Sequence, residues 1–261
     1  MTQARRQRLA QLVEERGFLR VTDAALELGV SDVTVRGDLS ELERRGAIVR
    51  VHGGAMPAAA FRESSLEASL DRDAAAKQAI GRTAAAMVAS GQSIYVDAGS
   101  TAMALAVALV ERRDLHDVVV VTTGLTIALA LEQAIPRFSV IVTGGTLRPL
   151  QHSLVNPFAA PMLDALRLDT AFIGCNGVSP GDGVTNLNLP DAEIKTRIMS
   201  VSKRSILLAD AAKLGRTDLA VIAPVAAFET LITAGPVDPG LIATLTQLGP
   251  DVRLADVRLA G

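Results

Sequence analysis

Leu9, Leu12 and Val13 recur at helical spacing among arginines and glutamates over residues 4–16, and Gly17 follows where such a helix ends. A second periodic segment opens at Thr22 or Asp23, both suitable N-caps, and stops at Gly29. A third follows Ser31, keeps Val30, Val35, Leu39 and Leu42 along one face, and stops at Gly46. Two helices across a short glycine-containing turn form the helix-turn-helix pattern. Ile48, Val49 and Val51 then favour a strand, and Gly53-Gly54 a tight turn. Residues 1–57 therefore read as a winged helix-turn-helix, and residues 58–72, which carry no clear period, as a linker.

From residue 73 the pattern changes. An alanine-rich helix over about 73–89 precedes the apolar runs SIYVD, VVVVTT, SVIVTGG, TAFIG, SILLAD, AVIA and TLITA, with helical patterns such as 101–112 and 125–134 between them. Continuous Val/Ile strands alternating with helices predict a largely parallel sheet covered on both faces, an α/β domain spanning 73–261. The longest uncharged apolar-rich run, Val118–Leu131, is broken by Thr-Thr-Gly and falls short of the ~18–20 residues of a membrane span.

Composition adjusts this picture at three points. Hydrophobic residues make up 49% of the chain but aromatic residues only 3%, so the core is built from Ala, Val, Leu and Ile. A net charge of −2 excludes a surface coated in basic residues, and residues 1–60 hold nine arginines against eight acids; any nucleic-acid contact must be local. The single cysteine, Cys175, forms no intrachain disulfide and has no histidine near it in sequence, so it reads as a small apolar side chain. His52, His116 and His152 show no ligand spacing, no metal or cofactor is expected, and the opening MTQARRQRL lacks a signal core, which predicts a cytoplasmic protein.

The third helix follows the turn and in this architecture lies in the major groove, so Ser31, Thr34 and Arg36 are the expected contacts. Arginine suits bidentate contact with guanine, whereas serine and threonine serve phosphate or base. Arg44, Arg45, Arg50 and His52 are expected to join them on the DNA side. The second motif is DAGST, Asp97 to Thr101, between a predicted strand and a predicted helix. There Gly99 permits a tight turn, and Ser100 and Thr101 face an anion at the positive end of the helix. Thr122-Thr123-Gly124, Gly144-Gly145 and Gly174–Gly177 also fall where strands end, the side of an open α/β sheet on which ligands bind.

The run RQRLAQLVEERGFLRVTDAALELGVSDVTVRGDLSELERRGAIVRVHGGA resembles the amino-terminal domain of the DeoR family of bacterial transcriptional regulators. The match runs through Val30, Ser31, Thr34, Val35, Arg36, Asp38, Leu39, Leu42, Glu43, Gly46, Arg50 and His52 to Ala55; Gly37 stands where the family has a second arginine. Residues 73–235, through DAGST, VTGG, DTAFIGCNGV, AEIKTRIM and LLADAAKLG, resemble the family's sensor domain, which is similar in fold to ribose-5-phosphate isomerase. That resemblance implies a repressor of carbohydrate genes, a double-stranded DNA operator, and a homo-oligomer, dimer or tetramer. It also implies a phosphorylated sugar effector held by Asp97, Gly99, Ser100, Thr101, Thr122, Gly144, Gly145, Asn176, Lys195 and Lys213. The alternative is a sugar-phosphate isomerase with an accessory winged helix. Against catalysis, Ile173 and Asn176 stand where the isomerase carries two aspartates, and an isoleucine cannot move protons.

Overall fold

In the computed structural model, residues 2–16, 19–51, 53–57 and 63–257 are described, and the chain divides into two compact units, residues 1–64 and 65–261. Gly17 and His52 lie outside the described residues.

In the first unit α1 (Thr2–Arg16) turns Leu9, Leu12 and Val13 inward, and β1 (Leu19–Arg20) leads into α2 (Val21–Leu28). That helix starts at Val21, ahead of the expected Thr22 or Asp23, and its N-cap Arg20 makes no side-chain cap bond. Gly29 closes it with φ 63°, a left-handed conformation that costs glycine nothing. Ser31 then caps α3 (Asp32–Arg44), its hydroxyl accepting the Thr34 N–H at 3.3 Å. β2 (Ile48–Val51) and β3 (Gly54–Pro57) form the wing, with β1 on the far side of β3 in an antiparallel sheet of order β1-β3-β2. Val35, Leu39, Leu42 and Ile48 close over α1 in one core, each fully buried aliphatic side chain contributing ~1.5–3 kcal/mol.

The second unit opens with α4 (Leu66–Asp71), inside the segment expected to be linker. Ser65 caps this helix and Leu66 is buried, so the linker is shorter than 58–72. α5 (Ala74–Ala85), β4 (Ser93–Val96), α6 (Ser100–Glu111), β5 (Val118–Thr122), α7 (Leu125–Leu131) and β6 (Phe138–Val142) follow. A hairpin of β7 (Thr146–Arg148) and β8 (Ser153–Val155), then α8 (Ala159–Asp164) and β9 (Leu168–Gly174), lead to the short strands β10 (Gly177–Ser179) and β11 (Gly183–Asn186). The chain continues through α9 (Leu189–Val201), β12 (Ser202–Leu208), β13 (Ala220–Ala223), β14 (Thr230–Thr233), α10 (Pro239–Gln247) and β15 (Asp251–Leu254).

Seven strands form one sheet of order β15-β14-β12-β9-β4-β5-β6, every pair parallel. Successive residues alternate between two cores. Ile94, Val96, Val120 and Phe172 face α5, α6 and α7, whereas Tyr95, Val121, Ala171 and Ile173 face α8, α9 and the small strands. Double coverage is why these strands read as unbroken apolar runs. AVIA is the exception: β13 pairs antiparallel with β11 in a separate sheet and leaves Val221 61% exposed, because one face of it has no cover. β15, too polar to be read as a strand, adds the seventh. Among the described residues no helix is long and apolar enough to cross a membrane.

Candidate functional site

In the first unit the outward face of α3 carries Val33, Arg36, Gly37, Ser40 and Arg44, positions three or four apart that line one side of a helix. Arg36 is exposed and its guanidinium has no partner among the described residues. Val33 is 79% exposed one turn earlier on the same face, a position not among the expected contacts. Arg50 joins this face by donating Nη1–H to Ser40 Oγ at 2.9 Å. A side chain at Gly37 would meet nothing within 4 Å, so no internal packing demands glycine there.

Other expected contacts are already engaged. Ser31 and Thr34 bond to each other, Oγ to Oγ1 at 3.0 Å, as part of the helix cap. Arg44 and Arg45 both grip Glu41, at 2.7 and 2.8 Å, and these bonds hold its carboxyl down to about 2. Arg5 and Arg6 clamp the buried Asp38 through their Nε atoms at 2.6 and 2.7 Å. Burial pushes the Asp38 carboxyl up, but the two arginine bonds outweigh it and hold it below its ordinary value. The clamp fixes α1 against α3.

In the second unit, turns after β4, β5 and β9 meet at the carboxyl edge of the sheet. Gly99, at φ 108°, ends the turn after β4 and caps α6 with no side chain, so the helix start has no side-chain cap bond from its own N-cap residue. Ser100 and Thr101 there are half-buried. The Thr122–Gly124 turn packs beside it, a side chain at Gly124 reaching within 3.4 Å of Ala98 Cα. Thr126 Oγ1 and Thr143 Oγ1, on the segments after β5 and β6, are buried without a hydrogen-bond partner.

Beneath these turns lies a buried ionic cluster. Lys195 Nζ is 3.1 Å from Asp97 Oδ2 and 3.0 Å from Asp191 Oδ2, and it donates to the Gly174 carbonyl at 3.1 Å. Arg148 Nη1 lies 3.0 Å from Asp191 Oδ1, and Asp97 also accepts the Gly174 and Ala98 N–H groups, at 2.8 and 2.9 Å. Tyr95 OH reaches both Asp97 and Thr123. Burial keeps the Asp97 carboxyl above its ordinary value, with the Lys195 charge the chief opposing influence. Burial also works against the Lys195 ammonium, but the two carboxylates outweigh it and raise its pKa.

This geometry revises several expected effector contacts. Asp97 and Lys195 are buried and satisfy each other. Thr122 is fully buried with Oγ1 accepting the Gly124 N–H, and Asn176 Oδ1 accepts the Leu187 N–H at 3.1 Å. Gly145, at φ 145°, serves the hairpin, because a Cβ there would fall 2.0 Å from the Val155 carbonyl oxygen. Gly144 is exposed, and Lys213, half-buried in a 3-10 turn, has no ion pair among the described residues. Gly99, Ser100 and Thr101 are half-buried, and the Ser100 and Thr101 hydroxyls make none of these internal contacts among the described residues. Cys175 packs on the second core, and burial pushes its thiol up to about 12. Asp169 sits at the other end of the sheet, where Lys203 and Ser93 hold its carboxyl to about 2. Arg148 and Asp191 were missed; only the i, i+4 spacing of Asp191 and Lys195 was visible locally.

The model of the DeoR-like helix-turn-helix domain matches residues 5–59, and that of the DeoR C-terminal sensor domain matches residues 72–234. The chain belongs to the DeoR family of transcriptional regulators. Its relatives include the HTH-type transcriptional regulator GlpR of Haloferax volcanii, 32% identical over 235 residues that cover 90% of each chain. The lactose phosphotransferase system repressor of Staphylococcus aureus is 32% identical over 213 residues, covering 80% of this chain and 83% of the repressor. Among solved structures, ribose-5-phosphate isomerase A of Methanocaldococcus jannaschii aligns with a TM-score of 0.40 at 18% identity over 53% of each chain.

Proposed function

We propose that this DeoR-family regulator represses sugar-metabolism genes in the cytoplasm by seating α3 in the major groove of a double-stranded operator, under control of a phosphorylated sugar. The observation that carries the DNA reading is the Arg36 guanidinium, without a partner among the described residues, on the exposed face of a Ser31-capped helix. Arg36 and Val33 then read base edges, arginine suiting guanine and a valine methyl suiting the thymine methyl, while Arg50 serves the backbone. The cradle of Gly99, Ser100 and Thr101 supports the effector reading, since amides at the start of a twelve-residue helix favour phosphate. The names of the relatives, a lactose phosphotransferase system repressor among them, support sugar metabolism as the regulated process.

The same edge supports binding without turnover. Ile173 is buried in the sheet, Asn176 holds the Leu187 amide, and both nearby carboxylates are tied to Lys195. Glu193, exposed on α9 and accepting the Asn156 amide at 3.3 Å, is the carboxylate of that helix outside the cluster. Two copies on a palindromic site suit a helix-turn-helix regulator.

Selection of genomic fragments by the full-length protein tests the DNA half: a recovered sequence bound ~10³-fold or more above random DNA is expected, and indiscriminate binding would refute it. Melting with glycerol 3-phosphate, ribose 5-phosphate and glucose 6-phosphate tests the other half. At least one should raise Tm, its dephosphorylated form should not, and Ser100→Ala/Thr101→Ala should erase the difference.

A further inference from the structure

Residues 149–152 join β7 to β8 and have attachments on two sides. Toward the carboxyl edge of the sheet, the Leu125 N–H donates to the His152 carbonyl at 2.8 Å and the Leu154 N–H to the Thr123 carbonyl at 2.9 Å. Ser153 bridges to Gly124, and Gln151 Oε1 lies 3.7 Å from the point where a side chain on Gly99 would begin. Away from that edge, the Leu150 carbonyl accepts the Leu66 N–H at 2.7 Å, and His152 Nε2 meets Glu67 Oε1 at 2.7 Å. Leu66 and Glu67 are the first two residues of α4, the first helix of the second unit.

The segment is therefore bonded both to the turns that frame the anion cradle and to the helix where the chain arrives from the DNA-binding unit. We propose that residues 149–152 form a ligand-responsive strap. A phosphate held at Gly99, Ser100 and Thr101 comes beside Gln151, and the shift of the strap passes through the Leu66–Leu150 and Glu67–His152 bonds to α4. The proposal rests on the effector reading given above and adds how that site is regulated. It requires the ligand to favour one of two strap positions, since a ligand indifferent to both would shift nothing. The Glu67–His152 pair suits a relay more than a staple: its side chains are 66% and 40% exposed, and an exposed pair contributes little to folding. Glu67 is outside the cradle, so changing it leaves ligand contacts untouched.

The test uses the full chain with its selected operator fragment and the same three sugar phosphates. For a probe that raises Tm, hydrogen exchange should change in peptides covering 65–72 as well as in those covering 98–102 and 149–155. Glu67→Ala should keep the thermal shift but reduce the probe's effect on operator affinity by about fivefold or more, the scale of ordinary allosteric coupling. His152→Ala should behave alike. A thermal shift with unchanged exchange at 65–72, or a Glu67→Ala protein that responds like wild type, overturns the strap and leaves the effector site standing. No thermal shift with any probe overturns the effector reading and the strap together.

Discussion

Replacing Lys195 by methionine separates a structural ammonium from a ligand-binding one. The substitution keeps most of the volume and removes the positive charge between Asp97 and Asp191, whose side chains are 1% and 9% exposed. Asp191 retains Arg148 and the Asn186 amide, so the loss falls on Asp97, left with two backbone N–H groups and the Tyr95 hydroxyl. Breaking a buried pair by removing one partner costs ~3–5 kcal/mol, and the remaining hydrogen bonds set the expectation near the lower end. For a unit of ~150–250 residues each kcal/mol lowers Tm by about 2–4 °C, which gives a fall of about 6–12 °C at neutral pH.

The pH dependence identifies the cause. Asp97 already has a folded-state pKa above its ordinary value of 3.8, and removing its chief opposing charge raises it further. In the variant, both folded and unfolded forms hold the proton below 3.8, so the charge penalty is absent there; it grows as pH rises and is complete above the folded value. The gap between variant and wild type should narrow as pH is lowered from 8 toward 5, followed by calorimetry of the full chain. A loss under about 1 kcal/mol, or one of equal size at both pH values, would refute the account of Lys195 as the counter-ion of buried carboxylates.

Arg36→Ala should cost ~1–3 kcal/mol on the operator and relax preference at one base position, measured by titrating operator variants; equal weakening on random DNA would remove Arg36 from specificity. Gly37→Arg should tighten DNA binding and steepen its salt dependence, because the site is open on the protein side, and should stabilise α3 by up to ~1 kcal/mol in thermal melts. Asp38→Asn should flatten the acid limb of unfolding of the first unit: a carboxyl held below 3.8 in the fold contributes stability above that value and loses it as pH falls through the folded one. Urea titrations between pH 6 and pH 2 measure this.

Local signals carried much of the fold into the sequence. Ser31 caps a helix because its hydroxyl meets an amide three residues on, and Gly29 ends one because only a left-handed turn is needed; both effects act within a few residues. The seven parallel strands include six that read as strands because burial on two faces leaves no room for polar alternation. Long-range pairing was not legible. AVIA and TLITA look alike, yet TLITA lies in the parallel sheet and AVIA pairs with β11 in a separate one, a choice made by partners far along the chain. The candidate site failed in the same way. Asp97 and Lys195 were identified as important, but their contact with each other depends on β4 and α9 coming to the same edge, so two residues expected to face a ligand turn out to neutralise one another. Arg148 and the strap at 149–152 carried no local signature at all.

The charge pairing in the first unit sets a limit on how one copy can hold DNA. Arg5 and Arg6 neutralise Asp38, Arg44 and Arg45 share Glu41, and Arg8 and Arg16 face Glu15 and Glu27. Among the described residues, Arg20, Arg36 and Arg50 are the arginines of this unit without a carboxylate partner. Arg36 reads bases, which leaves Arg20 and Arg50 for the backbone; each phosphate neutralised contributes about −0.9 to the slope of log K against log salt, so two contacts give about −2 for one copy and about −4 for two. An electrostatic contribution this small argues that tight binding requires two copies on one operator, with base contacts at Arg36 and Val33 supplying the discrimination. Operator titrations between 50 and 200 mM salt, alongside sedimentation of the complex, measure both quantities. A slope steeper than about −6 for a two-copy complex would mean that Arg44 and Arg45 abandon Glu41 for phosphate on binding, and that the pairing in the free protein is a resting state.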